Sequence, residues 1–303
     1  MERELIMTSD NNELQYKSVL PRWRGFNLPD MISFKNAGCF REEDFQIVSD
    51  LGFDYVRLPL CYRNWVKNPD DPDDLESLNE KALAPIDQAL EWGLKYGLHV
   101  SLNFHRAPGY SVNRDWPEKR FLWKDEKSLS AFKFHWRCFA ERYRGLPATK
   151  VSFNLLNEPP KAMEQPKDKP LAWVMTRADH ERVMRETIAE IRLLDSDRLI
   201  IIDGVEYGNM ACPELSDMAP SVAQSCRAYY PYGISHWNAP WFVGSDQWAR
   251  PVWPGAIHTD GRAWNRKILE EHFAPWVALA KNGVGVHCGE GGTHNQTPHD
   301  VVI

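Results

Sequence analysis

Paired cysteines are missing from this 303-residue chain. Its six cysteines (Cys39, Cys61, Cys138, Cys212, Cys226 and Cys288) are scattered, with no CxxC and no dense spacing. That excludes a sequence-readable metal cage or disulfide framework and leaves most of them as small buried hydrophobes. Basic character is also lacking. The formal net charge is −6, so there is no electrostatic footprint for nucleic acid and no basic amphipathic segment for a membrane surface. Apolar runs such as "LIIIDGV" are far too short to cross a bilayer. No GxGxxG or GxxxxGK[ST] follows the first β-type run, which removes the usual phosphate cradle. The start, "MERELIMTSDNNELQ", lacks the basic and apolar regions of a secretory signal. If that start is native, a cytoplasmic protein is expected; a processed or cloned mature form would instead be secreted.

What the sequence has in plenty is aromatic surface: thirteen Trp, thirteen Phe and ten Tyr. It also alternates. β-type runs lie at 22–28, 53–60, 98–105, 150–159, 198–204, 222–230 and 283–290. Helical patterns separate them at 41–52, 79–97, 128–145, 178–195 and 263–283. Leu51 and Leu94 complete the apolar faces of the first two, and a serine caps the third. Near-continuous apolar strands alternating with helices predict a parallel sheet covered by helices, either doubly wound or closed as a (β/α)8 barrel. The strand ends favour the barrel. Asn27, Arg57, His105 with Arg106, Asn157 with Glu158, Asp203, Arg227 with Tyr229, and Glu290 each close a run, and in a barrel those ends share one rim.

Glu158 and Glu290 end different strands. Two carboxyls facing across a rim can hydrolyse a glycosidic bond: one protonates the leaving oxygen while the other attacks the anomeric carbon, at a separation of about 5–5.5 Å for the retaining course. Burial of Glu158 at the tip of "VSFNLLNEPP" would keep it protonated, whereas donors such as Arg57, Tyr229 and Arg227 would keep Glu290 ionised. The competing explanation for Glu158 is a buried ion pair with a neighbouring arginine.

"VSFNLLNEPP" resembles the Asn-Glu-Pro signature of glycoside hydrolase family 5, in the cellulase clan. "GFDYVRLPLCYRNW" resembles that family's second-strand Arg, "SLNFHRAPGY" its third-strand His, "SCRAYYP" its sixth-strand element and "GVHCGEGG" its nucleophile strand. The resemblance runs from about Arg24 to Gly292. It implies a (β/α)8 TIM barrel, no cofactor or metal, and retaining double displacement on a β-linked oligo- or polysaccharide. Glu158 would be the acid/base and Glu290 the nucleophile, with Arg57 holding Glu290. Asn157 would bind the 2-hydroxyl, His105 would line the reacting subsite and Tyr229 would lie beside the nucleophile. Arg227 departs from the family's usual His, and His236, otherwise an exposed loop residue, could take part of that role.

A second departure is the end of the chain. The expected barrel is one domain over 21–303, behind an N-terminal extension at 1–20, and it stops before its eighth strand. Read as a fragment of a longer protein, it would be less stable and less active than an extended form. Trp237 and Trp241, in the long loop after the sixth strand, are the candidate sugar platforms, with Trp65, Tyr62 and Trp116 behind them. Glu206 reads as a solvated loop carboxylate, and His287 and Cys288 as residues pointing to core and barrel interior. The activity expected is that of an endo-β-1,4-glucanase. A hydrolase of mannan or another β-glycan, an exo-β-glucosidase and a non-catalytic carbohydrate-binding barrel are the alternatives. Oligomeric state is not legible.

Overall fold

The computed structural model describes residues 20–112, 118–163 and 174–302. Its strands are β1 (Gly25–Asn27), β2 (Tyr55–Cys61), β3 (His99–Ala107), β4 (Tyr110–Ser111), β5 (Val151–Asn154), β6 (Leu199–Asp203), β7 (Val222–Ala228) and β8 (Val286–Gly291). All but β4 form one parallel series in the order β1-β2-β3-β5-β6-β7-β8, and β4 folds back antiparallel on β3. The helices are α1 (Glu42–Asp50), α2 (Ala84–Lys95), α3 (Glu126–Arg142), α4 (Arg177–Arg192), α5 (Val205–Gly208), α6 (Tyr232–Ser235) and α7 (Arg266–Lys281) between the strands, with α8 (His299–Val302) after β8. The predicted runs and helices are all present, and the sheet is that of a nearly closed (β/α) barrel.

The strands are not continuously apolar. Val56, Leu58 and Leu60 of β2, Val100, Leu102 and Phe104 of β3, and Val151 and Phe153 of β5 join one apolar cluster under the helices. The alternate positions hold Arg57, His99, Ser101, Asn103, Ser152 and Asn154, all buried. They bond to one another inside the barrel: His99 Nε2 lies 2.8 Å from Ser152 Oγ, and Arg57 Nε donates to Asn154 Oδ1 at 2.9 Å. A polar interior is tolerable because these partners replace lost water.

Local corrections are small. The third helix is capped by Asp125, whose side chain accepts from the Ser128 amide, so it starts two residues before the expected serine. A capping box of Thr176 and Asp179 opens α4. Leu51 and Leu94 are exposed: Leu51 is the residue just past α1, and Leu94 lies in the last turn of α2. Cys61, Cys212 and Cys226 are buried as expected, but Cys39 and Cys288 are exposed.

One seam stays open. Among the described residues no strand lies between β1 and β8, and a cavity of about 670 Å³ separates them, lined by residues of both. Asn27 Nδ2 reaches across it to the Gly289 carbonyl at 3.4 Å. The position expected to lack a strand is this one. The N-terminal extension lies, but for Leu20, outside the described residues.

Candidate active site

The parallel sheet brings the C-terminal ends of its strands to one rim, so residues far apart in sequence meet there. Arg57, wholly buried on β2, is the hub. Its Nε donates to Asn154 Oδ1 at 2.9 Å, Nη2 to Asn157 Oδ1 at 2.7 Å, and Nη1 to Glu290 Oε1 at 2.7 Å. Tyr229 donates its hydroxyl to the other oxygen of Glu290 at 3.0 Å. Burial alone would raise the Glu290 pKa, but Arg227, Arg57 and His105 outweigh it and hold the carboxyl at about 2.

Glu158 follows β5 on a turn with φ of 49°, left-handed for a non-glycine residue and doubly unusual just before a proline. Such a backbone costs on the order of 1–3 kcal/mol and persists only where its surroundings over-determine it. Here Asp203 Oδ2 accepts from the Glu158 amide at 2.9 Å, and Tyr110 donates its hydroxyl to the Glu158 carbonyl at 2.6 Å. The side chain then enters the cleft, where Arg227 Nε donates to its Oε1 at 3.0 Å. Burial, opposed by Arg227 and assisted by the charge of Glu290, pushes its pKa up to about 7. Two carboxyls in one cleft thus hold opposite protonation states across mildly acidic pH, the arrangement general acid and nucleophile require.

Arg227 resolves the ambiguity left by the sequence. The same guanidinium reaches Glu158 and, through Nη2, Glu290 Oε1 at 3.5 Å. The arginine contact weighed as the alternative for Glu158 is therefore present, and it sits inside the constellation rather than replacing it. Asn157 accepts from both arginines through Oδ1, while its buried Nδ2 has no partner among the described residues. That leaves two N–H donors without a protein acceptor. His105 Nδ1 is likewise buried and unpartnered, and burial lowers its pKa to about 4, so the ring is neutral.

Other expectations fare unevenly. His236 is not an exposed loop residue: it is half-buried, lies 2.7 Å from Ser235 Oγ and packs edge-on behind Tyr229 at 5.4 Å between centroids. It packs against that tyrosine. Trp237 is half-buried and donates to the Trp248 carbonyl, whereas Trp241 is 68% exposed. Trp65 and Tyr62 are core residues, because the chain turns into a 3-10 helix under α3. Trp116 lies outside the described residues. Glu206 is not free in solvent but pairs with Lys161 at 3.2 Å. His287 faces the barrel interior against Tyr55, while Cys288, one residue on, faces out.

Asp203 reads from the sequence as no more than a strand end, and Asn154 and Tyr110 escape notice there altogether. Asp203 was findable, as the sole charge ending "LIIID". Asn154 and Tyr110 carry no such signal. Among the described residues, metal-type donors cluster at His180, Cys212 and Glu214, within 4.8 Å of one another. Arg177 already sits on Glu214 at 2.9 Å, supplying positive charge where an ion would have to sit.

The family model described as cellulase (glycosyl hydrolase family 5) matches residues 11–302. Endoglucanase C of Acetivibrio thermocellus is 30% identical over 274 residues, covering 83% of this chain and 74% of that protein. Cellodextrinase A of Ruminococcus flavefaciens is 28% identical over 257 residues, covering 83% and 68%. A crystal structure described as a glycoside hydrolase superposes with a TM-score of 0.83 at 34% identity, covering 92% of this chain and 81% of that one. Cel5A of Thermotoga maritima, solved with mannotriose, gives 0.71 at 23% identity over 92% and 82%, a likeness of fold.

Proposed function

The chain belongs to the cellulase family, glycosyl hydrolase family 5, and from that membership we propose that it hydrolyses internal β-1,4 bonds of a glucan with retention of configuration. In this reading Glu158 protonates the glycosidic oxygen as Glu290 attacks the anomeric carbon and the bond to the leaving sugar breaks. Water, deprotonated by Glu158, then displaces Glu290 from the glycosyl-enzyme. Arg57 and Tyr229 keep Glu290 ionised and oriented, and the free Asn157 amide donates to the hydroxyl beside the reacting carbon. His105 lines the reacting sugar's subsite. Trp241, on the long loop after β7, offers its exposed ring to a sugar further along. The observation that carries the reading is the opposed tuning of the two carboxyls about one guanidinium, one near 7 and one near 2.

Trapping with a 2-fluoro glycoside bearing a good leaving group tests it. The expected result is a covalent adduct on the peptide containing Glu290, found by mass spectrometry; no adduct, with oligosaccharide still bound, supports a non-catalytic binding barrel instead. Substrate choice is read by reducing sugar released from carboxymethyl-cellulose against mannan and an aryl β-glucoside. Faster release from mannan, or action on the aryl glucoside alone, would replace the endoglucanase assignment.

A further inference from the structure

Asp203 ends β6 completely buried, and a buried carboxylate is costly unless fully satisfied. Its satisfaction is unusually specific. Oδ1 accepts from Asn154 Nδ2 at 2.8 Å, and Oδ2 accepts from the backbone amide of Glu158 and from Arg227 Nη2. One carboxylate therefore grips both the left-handed backbone that launches Glu158 and the guanidinium that touches the Glu158 side chain. Arg227 is gripped from other sides as well. Its Nη1 donates to Ser225 Oγ and to the Cys226 carbonyl, both at 3.2 Å. Two glycines leave room for it. A Cβ on Gly208, which has φ of +80°, would lie 2.6 Å from Arg227 Cγ, and one on Gly289 would lie 2.9 Å from its Nη1. The arginine is built into place.

We propose that Asp203 and Arg227 are a positioning pair. Asp203 fixes the backbone of Glu158 and anchors Arg227, which lies between the two glutamates as the counter-charge of whichever is ionised. This rests on the retaining reading above. Following the charge through the reaction shows the use of it. In the resting cleft Glu290 is the anion and Glu158 carries a proton. Forming the glycosyl ester makes Glu290 neutral, and Glu158, having given its proton to the leaving oxygen, becomes the anion. The negative charge thus moves from one side of Arg227 to the other. A guanidinium 3.0 Å from Glu158 and 3.5 Å from Glu290 meets both states without being rebuilt. Asp203 keeps the arginine from overstabilising the Glu158 anion, since its own negative charge opposes that effect.

The groups facing Glu158 are Arg227, Glu290 and Asp203 together with the hydroxyls of Tyr110, Tyr229 and Tyr232. The pair can be tested without substrate. Protein labelled with 13C at the glutamate side-chain carboxyl is titrated by NMR, and the Glu158 signal is assigned by its loss in Glu158→Gln. Removing the arginine in Arg227→Gln should raise the Glu158 midpoint, and removing the opposing charge in Asp203→Asn should lower it, each by about one pH unit. The double variant should return toward the parent. The basic limb of kcat/KM should move in the same directions. No movement in folded Arg227→Gln, or movement of both single variants the same way, overturns the proposal. If Asp203→Asn does not fold, Arg227→Gln alone decides. Midpoints that move as expected in a protein with no hydrolysis would uphold the pair's electrostatics and sink the retaining reading.

Discussion

Every residue of β2 and β3 is buried, whereas all three of β1 are exposed and only Gly289 of β8 is fully covered. The β2–β6 half of the sheet is held by packing: Phe104 stacks on Trp136 at 4.0 Å within a cluster that includes Trp65, Phe132 and Phe139. The seam half has little of this. Each half nevertheless carries one carboxyl of the cleft, and each fixes it differently. Glu158 rises from the packed half on a strained turn that the rigid surroundings enforce. Glu290 stands beside the seam and is placed by charge, through Arg57 reaching over from β2 and Arg227 from β7. The difference teaches that precision at a weakly packed edge can be supplied by buried ion pairs anchored elsewhere.

The largest expected effect comes from discharging the seam half. Glu290→Gln keeps the shape and removes the negative charge, and its kcat/KM on an aryl glycoside should fall about 10⁴–10⁶-fold. A variant retaining more than about one hundredth of parental turnover would mean that the seam half holds no reacting group.

The packing contrast has its own pair of variants. Phe104→Ala should cost about 3–5 kcal/mol in denaturant unfolding, as for a fully enclosed aromatic. Phe26→Ala on β1, where the ring is 48% exposed and meets Phe53 edge-on, should cost about 1 kcal/mol or less. Equal losses would erase the distinction between the halves.

These halves also differ in how readable they are. Strand and helix positions followed from apolar spacing and glycine stops, because burial against helices leaves that imprint on one face. The polar inward face did not read as barrel lining. His99, Ser101 and Asn103 look like interruptions until Ser152 and Asn154 stand opposite them. The glutamates, Arg57 and Asn157 were legible because each closes a strand in a recognisable local pattern. Tyr110 and Asn154 were not, since they act on Glu158 and Arg57 through register between strands roughly forty to a hundred residues away. His236 was misjudged for a related reason: a loop's burial depends on what it folds back upon.

The opposed carboxyls predict opposed pH effects on stability. Glu158, raised to about 7 by burial against the pull of Arg227, favours folding below its unfolded value of ~4.3. That contribution is lost as pH climbs through about 7. Glu290, whose burial is outweighed by Arg227 and Arg57 to leave it at about 2, adds stability above ~4.3 that is lost as pH falls toward 2. A difference of one pH unit between folded and unfolded titration midpoints corresponds to ~1.4 kcal/mol. Between pH 5 and 8 the parent should therefore lose about 2–4 kcal/mol more unfolding free energy than Glu158→Gln. Parallel curves for the two proteins would show that the packed half does not tune its carboxyl.

The smallest effect is expected on the loop between β7 and α7. Trp264 and Trp241 belong to the same loop, yet Trp264 is buried and Trp241 presents most of its ring to solvent, edge-on to His294 at 5.2 Å. A ring exposed above the rim costs the fold little and can gain only when something flat and partly apolar lies on it. Stacking of that kind contributes about 0.5–1.5 kcal/mol, so Trp241→Ala should raise KM for a long cello-oligosaccharide about 2–10-fold and leave kcat, and KM for a short aryl glucoside, unchanged. Stability should stay within about 0.5 kcal/mol of the parent. A fall in kcat with KM constant would place this ring next to the reacting sugar and join the loop to the charge-held half; no change with any substrate would leave it outside the cleft.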